Sequence, residues 1–289
     1  MTITRLDPNL TLGAVELTVA SLDRSLEYYT GSVGLQVLEH ETGSAWVGVP
    51  GRTLAVLRER PGVGLPPSSS SGLSHFAPQV PAPADLARFV KHYTAEHSEF
   101  GLVDHTVAHS CYVTDPDGHC VELTCARPRE EWRWQGDQPA AVADPLELEH
   151  FTAELGADEP FEGLPAGTLM GHVQLKVTDA ELKATEPFYT DLLGFDVQGR
   201  LGNMFLAVGV TDHEAQLVLT NRFSDGGEES VPDDSAHLIG VDLLLSTARD
   251  VQALAERLAV ATYPHQLSTD ELAVRDPSGN LLRFKSDAA

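Results

Sequence analysis

A chain of 289 residues is long enough for one large domain or two ordinary ones. Its 43 acidic and 19 basic residues give a formal net charge of −24. A surface that acidic repels phosphate backbones and anionic lipids, which argues against nucleic-acid and membrane partners. No apolar run approaches the roughly 20 residues that span a bilayer. The N-terminus has no basic stretch ahead of an apolar core, so a cytoplasmic location is expected.

In chain order, residues 13–19 alternate and are rich in β-branched side chains, as in a half-buried strand. Asp23 to Tyr29, with Ser21 or Asp23 as its cap, reads as a helix. Val37 to Leu57 reads as strands broken by Thr-Gly and Pro-Gly turns. A serine-rich stretch, 68–72, leads into a new unit that opens at Gly72-Leu-Ser-His-Phe and has its helix around Asp85. That unit closes with the strand Cys111 to Thr114, the turn Asp115-Pro-Asp-Gly118 and the strand Cys120 to Cys125. In such a turn proline presets φ and glycine accepts a positive φ. The next segment is acidic and holds Pro139, Pro145 and Pro165, with one short helix expected around Leu146 to Leu155. Cys111, Cys120 and Cys125 are odd in number and lack CxxC spacing, so they read as structural thiols.

The chain then repeats itself. Leu-Gly-Ala-Val-Glu-Leu-Thr-Val at 12–19 returns as Met-Gly-His-Val-Gln-Leu-Lys-Val at 170–177. Tyr29-Thr30 with Gly34-Leu35 returns as Tyr189-Thr190 with Gly194-Phe195. The segment 113–124 returns as 274–285. The expected fold is α+β, with four βαβββ modules forming two curved, partly open mixed β-barrels with flanking helices. The expected division is an N-terminal half, 1–128, with modules at about 12–66 and 72–126. A linker segment, 129–168, follows, and then a C-terminal half, 169–289, with modules at about 170–222 and 237–286.

Repeats supply an internal control, because equivalent positions share structural duties. One opening-strand position reads Ala14, His75, His172 and Gly240 across the four modules. The closing strand carries Glu122 in module two and Arg283 in module four. A lone histidine in a strand is more often a hydrogen-bonded core residue than a ligand. Two histidines at equivalent positions, with a carboxylate that is costly to bury alone, favour a metal site. Two imidazoles and one carboxylate with open positions suit a divalent first-row ion, Fe(II) first, with Mn, Ni or Zn also served by these ligands.

The segments GHVQLKV with FYTDLLGF, and DPDGHCVEL, resemble the vicinal-oxygen-chelate superfamily of glyoxalases, bleomycin-resistance proteins and extradiol dioxygenases. The stretches GLSHFAPQVP and DHTVAHSCYVTDPDGHCVELTCARPREEW make the chain most similar to tetramodular catechol-2,3-dioxygenases. The resemblance implies Fe(II) held by His75, His172 and Glu122. It implies Tyr112 and His105 as groups that contact the substrate, and His213 as acid/base. The partners implied are a small aromatic substrate and O₂, and pairing into a homodimer is a further expectation. Two alternatives stay open on the same scaffold. A glyoxalase-like lyase or isomerase would use Ni, Zn or Mn and a fourth ligand, for which Glu16 and Glu59 are the candidates. A non-enzymatic binder of a small aromatic or drug would line its pocket with Trp46, Phe76 or Phe205.

Overall fold

The computed structural model describes residues 5–136, 138–154, 160–179, 182–211, 215–221 and 231–287. Module one consists of β1 (Thr11–Val19), α1 (Leu22–Glu27), β2 (Gln36–Glu41), β3 (Ser44–Val49) and β4 (Arg52–Glu59). Module two consists of β5 (Gly72–Gln79), α2 (Pro83–Glu96), β6 (Gly101–Asp104), β7 (Ala108–Thr114) and β8 (Cys120–Ala126). The linker carries three two-residue strands, β9 (Trp134–Gln135), β10 (Gln138–Pro139) and β11 (Asp144–Pro145), then α3 (Leu148–Glu154). Module three has β12 (Leu169–Lys176), the short turn α4 (Thr185–Pro187), β13 (Asp196–Leu201), β14 (Phe205–Gly209) and β15 (Leu217–Thr220). Module four has β16 (Leu238–Leu245), α5 (Ala248–Val260), β17 (His265–Leu267), β18 (Glu271–Arg275) and β19 (Leu281–Ser286). The βαβββ order thus occurs four times, and the described strands fall into an eight-stranded and a nine-stranded mixed sheet, with β9 and β10 as a separate pair. Among the described residues no helix is long and apolar enough to cross a membrane.

By their contacts the residues gather into two units. One contains 18–65 and 75–171. In it β6, β7 and β8 pair antiparallel in succession, and β5 pairs parallel to β8 with Phe76 opposite Val121. α2 starts with proline at its N-terminus and an Asp85 carboxylate that accepts from the Ala82 N–H at 3.1 Å. Its Leu86, Phe89 and Val90 pack fully buried against β7 and β8. The Asp115–Gly118 turn is anchored in the same unit. Tyr29 donates its hydroxyl to Asp115 at 2.9 Å, Ser25 donates to Asp117 at 3.2 Å, and the His119 ring meets the Thr18 carbonyl at 2.9 Å.

The other unit contains 1–17, 66–74 and 172–289. There β12 pairs parallel to β15, and β16 pairs parallel to β19 and antiparallel to β1. α5 is capped by the Thr247 hydroxyl and buries Val251, Leu254 and Leu258. The second turn repeats the first: Tyr189 donates to Asp276 at 3.0 Å, and Asn280 donates to the Lys176 carbonyl at 3.3 Å. Burial raises both aspartates above the ordinary carboxylate range, although the hydrogen bonds they accept pull the other way.

The first helix departs from the sequence expectation at its end. α1 begins at Leu22 with Ser21 as cap, but from Tyr28 to Ser32 it widens into a π-helical turn, and Phe188–Leu193 does the same in module three. Gly34 and Gly194 then leave these turns at φ of 85° and 91°. All three cysteines are free. Burial pushes the Cys111 and Cys120 thiols up to about 12 and the Cys125 thiol up to about 11.

Candidate metal centre and its surroundings

Glu122 stands in the middle of β8, 2 % exposed, between core residues Val121 and Leu123 that point to the opposite face. On the neighbouring strand Tyr112 is its direct cross-strand partner, so both side chains rise from the same face. The parallel register of β5 and β8 brings His75 alongside, and its Nε2 stands 2.8 Å from Glu122 Oε2. The His75 and Tyr112 rings meet edge to face at 5.5 Å.

His172 lies on β12 next to Gly171. A side chain at Gly171 would press on Gln79 and the Ala77 carbonyl, so β12 runs tight against β5 at this point. His75 and Glu122 thus pair two donor atoms on one buried sheet face, and His172 is carried by the other unit. Two first-row metal bonds of about 2.1 Å at right angles hold their donors about 3 Å apart. The His75–Glu122 separation of 2.8 Å suits that spacing. Two neutral nitrogen donors and one carboxylate are also the donor set for a divalent ion with open positions. The residues therefore fit the group that the sequence suggests.

Tyr112 and His105 come together beside this cluster. The Tyr112 hydroxyl is 2.8 Å from His105 Nε2, and that nitrogen is 3.9 Å from Glu122 Oε1. Burial, then the facing Glu122 charge, push the Tyr112 phenol well above the usual tyrosine range. Tyr112 also lines a cavity of about 520 Å³ together with Tyr28, Tyr93, His97 and Phe100. His213 lies outside the described residues.

The residues considered for a fourth ligand are committed elsewhere. Glu16 on β1 forms an ion pair with Arg283, which also donates to Asp242 at 2.6 Å. Lys285 adds a contact of 2.7 Å to Asp242. Module four thus holds a guanidinium where module two holds Glu122. Glu59 accepts the Leu22 N–H at 2.9 Å, at the start of α1. Of the aromatic residues considered for a binder's pocket, Phe76 is fully buried in the core, and Trp46 lies under the Arg58 guanidinium at 4.9 Å.

Sequence reasoning missed the framework around His105. Asp104 just before it accepts the Thr106 N–H at 2.7 Å and two bonds from Arg127, at 3.1 and 2.9 Å. Burial alone would raise the Asp104 carboxyl, but the Thr106 N–H and Arg127 outweigh it and hold it below its ordinary range. Thr106 adopts φ of 71°, a costly conformation for a β-branched residue, and is fully buried. The signal available in the sequence was Asp104 itself, a residue type that bonds its own backbone two residues on.

Comparison with known proteins agrees with this architecture. Residues 11–123 match the family model described as the glyoxalase/bleomycin resistance protein/dioxygenase superfamily. Over 284 residues, covering 94 % of this chain and 96 % of the relative, the sequence is 33 % identical to a catechol-2,3-dioxygenase of Bacillus subtilis (strain 168). Among solved structures, a candidate dioxygenase from Bacillus subtilis subsp. subtilis str. 168 superposes with a TM-score of 0.68 at 12 % identity, covering 99 % of this chain and 87 % of that one. Glyoxalase I from Zea mays superposes with a TM-score of 0.60 at 18 % identity, covering 96 % and 92 %. The two structures support the fold, and the sequence relative carries the assignment. The chain belongs to the glyoxalase/bleomycin resistance protein/dioxygenase superfamily.

Proposed function

We propose that the protein is a metal-dependent extradiol dioxygenase that opens the ring of a catechol-like aromatic, with His75, Glu122 and His172 as the metal ligands. The observation that carries this reading is the buried pairing of His75 with Glu122, 2.8 Å apart on adjacent strands. The full-length similarity to a catechol-2,3-dioxygenase supports it. Fe(II) is the proposed ion. When bound, it supplies the Lewis acidity that lowers the pKa of two vicinal hydroxyls and the redox access to O₂.

The protein's own groups do the remaining work. His75 and Glu122 fix one edge of the site from adjacent strands of a single sheet, where rotamers are locked by packing. Tyr112 presents its hydroxyl beside Glu122 and His105, within reach of a substrate oxygen and able to pass a proton on. His213 is proposed as the acid/base, a role suited to an imidazole side chain.

Freshly purified protein, reconstituted anaerobically with Fe(II), is expected to bind one metal per chain. It should then consume O₂ with at least one of a small panel of catechols and release a yellow ring-fission product. His172→Ala should lose both metal and uptake. Tight metal binding without uptake on any catechol would reject the reaction and leave the triad. A lyase or isomerase would need a fourth ligand, and the commitment of Glu16 and Glu59 weighs against that alternative.

A further inference from the structure

The linker between the two halves does more than connect them. Its segment 138–146 lies along β6, with Asp144 opposite Asp104 and Pro145 opposite Val103. The Leu146 N–H donates to the Leu102 carbonyl at 3.0 Å. Arg133 ties this segment down. Its guanidinium donates to Asp144 at 2.6 Å and to the Thr106 hydroxyl at 3.1 Å, and its carbonyl accepts the Ala140 N–H at 2.8 Å. The segment thereby delivers the Val142 carbonyl to His105 Nδ1 at 2.9 Å.

A carbonyl oxygen can only accept, so the hydrogen of this bond sits on Nδ1. In a neutral imidazole Nε2 is then the acceptor, and its neighbour is the Tyr112 hydroxyl at 2.8 Å. The hydroxyl stands between two acceptors, His105 Nε2 and the Glu122 carboxylate. With the other tautomer, Nε2–H would donate to Tyr112, and Tyr112 would be turned towards Glu122. Whether His105 can accept the Tyr112 proton is therefore decided by a backbone carbonyl in the linker.

We propose that the linker segment 138–146 is a positioning strap: it fixes His105 as the Nδ1–H tautomer, and so presents Nε2 as an acceptor to the Tyr112 hydroxyl. Tyr112 then meets an incoming substrate hydroxyl with its oxygen lone pairs, as an acceptor. This last consequence rests on the dioxygenase reading, whereas the tautomer does not.

The test is side-chain ¹⁵N NMR of the metal-free protein, with the His105 resonances assigned by their loss in His105→Gln. The expected spectrum shows a pyrrole-type Nδ1 and a pyridine-type Nε2. An Nε2–H tautomer in the unmodified protein would overturn the proposal. Asp144→Ala, which frees the strap from Arg133, and Arg133→Ala, which also loses the bond to Thr106, should each give a mixture of tautomers. In Fe(II)-loaded protein that turns over a catechol, the same variants should lower kcat by about tenfold with KM nearly unchanged. Tautomer and kcat both unaffected by the variants would reject the strap. Absence of turnover in the unmodified protein rejects the reaction, and the spectra still decide the strap.

Discussion

Arg283 and Glu122 occupy equivalent places, yet one is a cation and the other an anion. Arg283 lies mostly buried against Glu16 and Asp242, which are themselves 8 % and 9 % exposed. A fixed guanidinium therefore pairs with a carboxylate from module one and another from module four. Its removal breaks the ion pair to Glu16 while Lys285 stays on Asp242, a change that costs up to about 3–5 kcal/mol. Arg283→Met should lower the unfolding free energy by that amount in urea melts without altering the metal content. A loss below about 1 kcal/mol would show that water screens the cluster. At the other centre, Tyr112→Phe keeps the ring against His75 and removes only the hydroxyl. We expect kcat to fall by about 10²-fold while the metal stays bound, to be read by steady-state O₂ uptake alongside metal analysis. His75, His172 and Glu122 stand out in the sequence as candidates because the repeat supplies their counterparts, Ala14, Gly240 and Arg283. The acceptor that sets His105 could not, because it is the main-chain oxygen of Val142, an atom every residue carries.

Between residues and modules stand the turns that seat each helix against its neighbour. Tyr29 and Tyr189 reach Asp115 and Asp276 from within π-widened turns, and each turn exits through a glycine of positive φ. A Cβ at Gly34 would meet the Phe161 ring, whose edge lies against that position. Gly34→Ala combines a left-handed backbone with overpacking, and we expect it to cost about 2–4 kcal/mol, measurable as a lower denaturation midpoint. The paired aspartates give the fold a pH signature. Burial raises both above the ordinary value of 3.8. A carboxyl raised in the folded state binds its proton more tightly there than in the unfolded chain. Its contribution is therefore complete below 3.8 and fades as pH rises through the raised value. An Asp115→Asn/Asp276→Asn double variant should lose that dependence, giving a flatter stability profile just above pH 3.8 than the parent; parallel profiles would reject this account. The Asp-Pro-Asp-Gly turn was readable from residue types. The π turns were not, since they come from the reach of a tyrosine to a partner 86 residues away.

At the scale of the whole molecule, strand alternation and the repeat were enough to read four modules, because each module buries one face of its sheet under one helix. Which strands pair across modules was not readable, since every opening strand shares the same pattern. The formal charge of −24 acts on all of it. Self-repulsion of that size is screened when the Debye length shrinks, so raising NaCl from about 20 mM to about 200 mM should increase the melting temperature. A melting temperature that does not change would mean the acids are already neutralised pairwise. The buried thiols have one more consequence on the proposed reading. Catechols exposed to air give ortho-quinones, electrophiles that arylate thiolates. With Cys111 and Cys120 held near 12 and Cys125 near 11, almost no thiolate exists at neutral pH. On that reading the three thiols offer little target to the oxidised by-products of a catechol substrate.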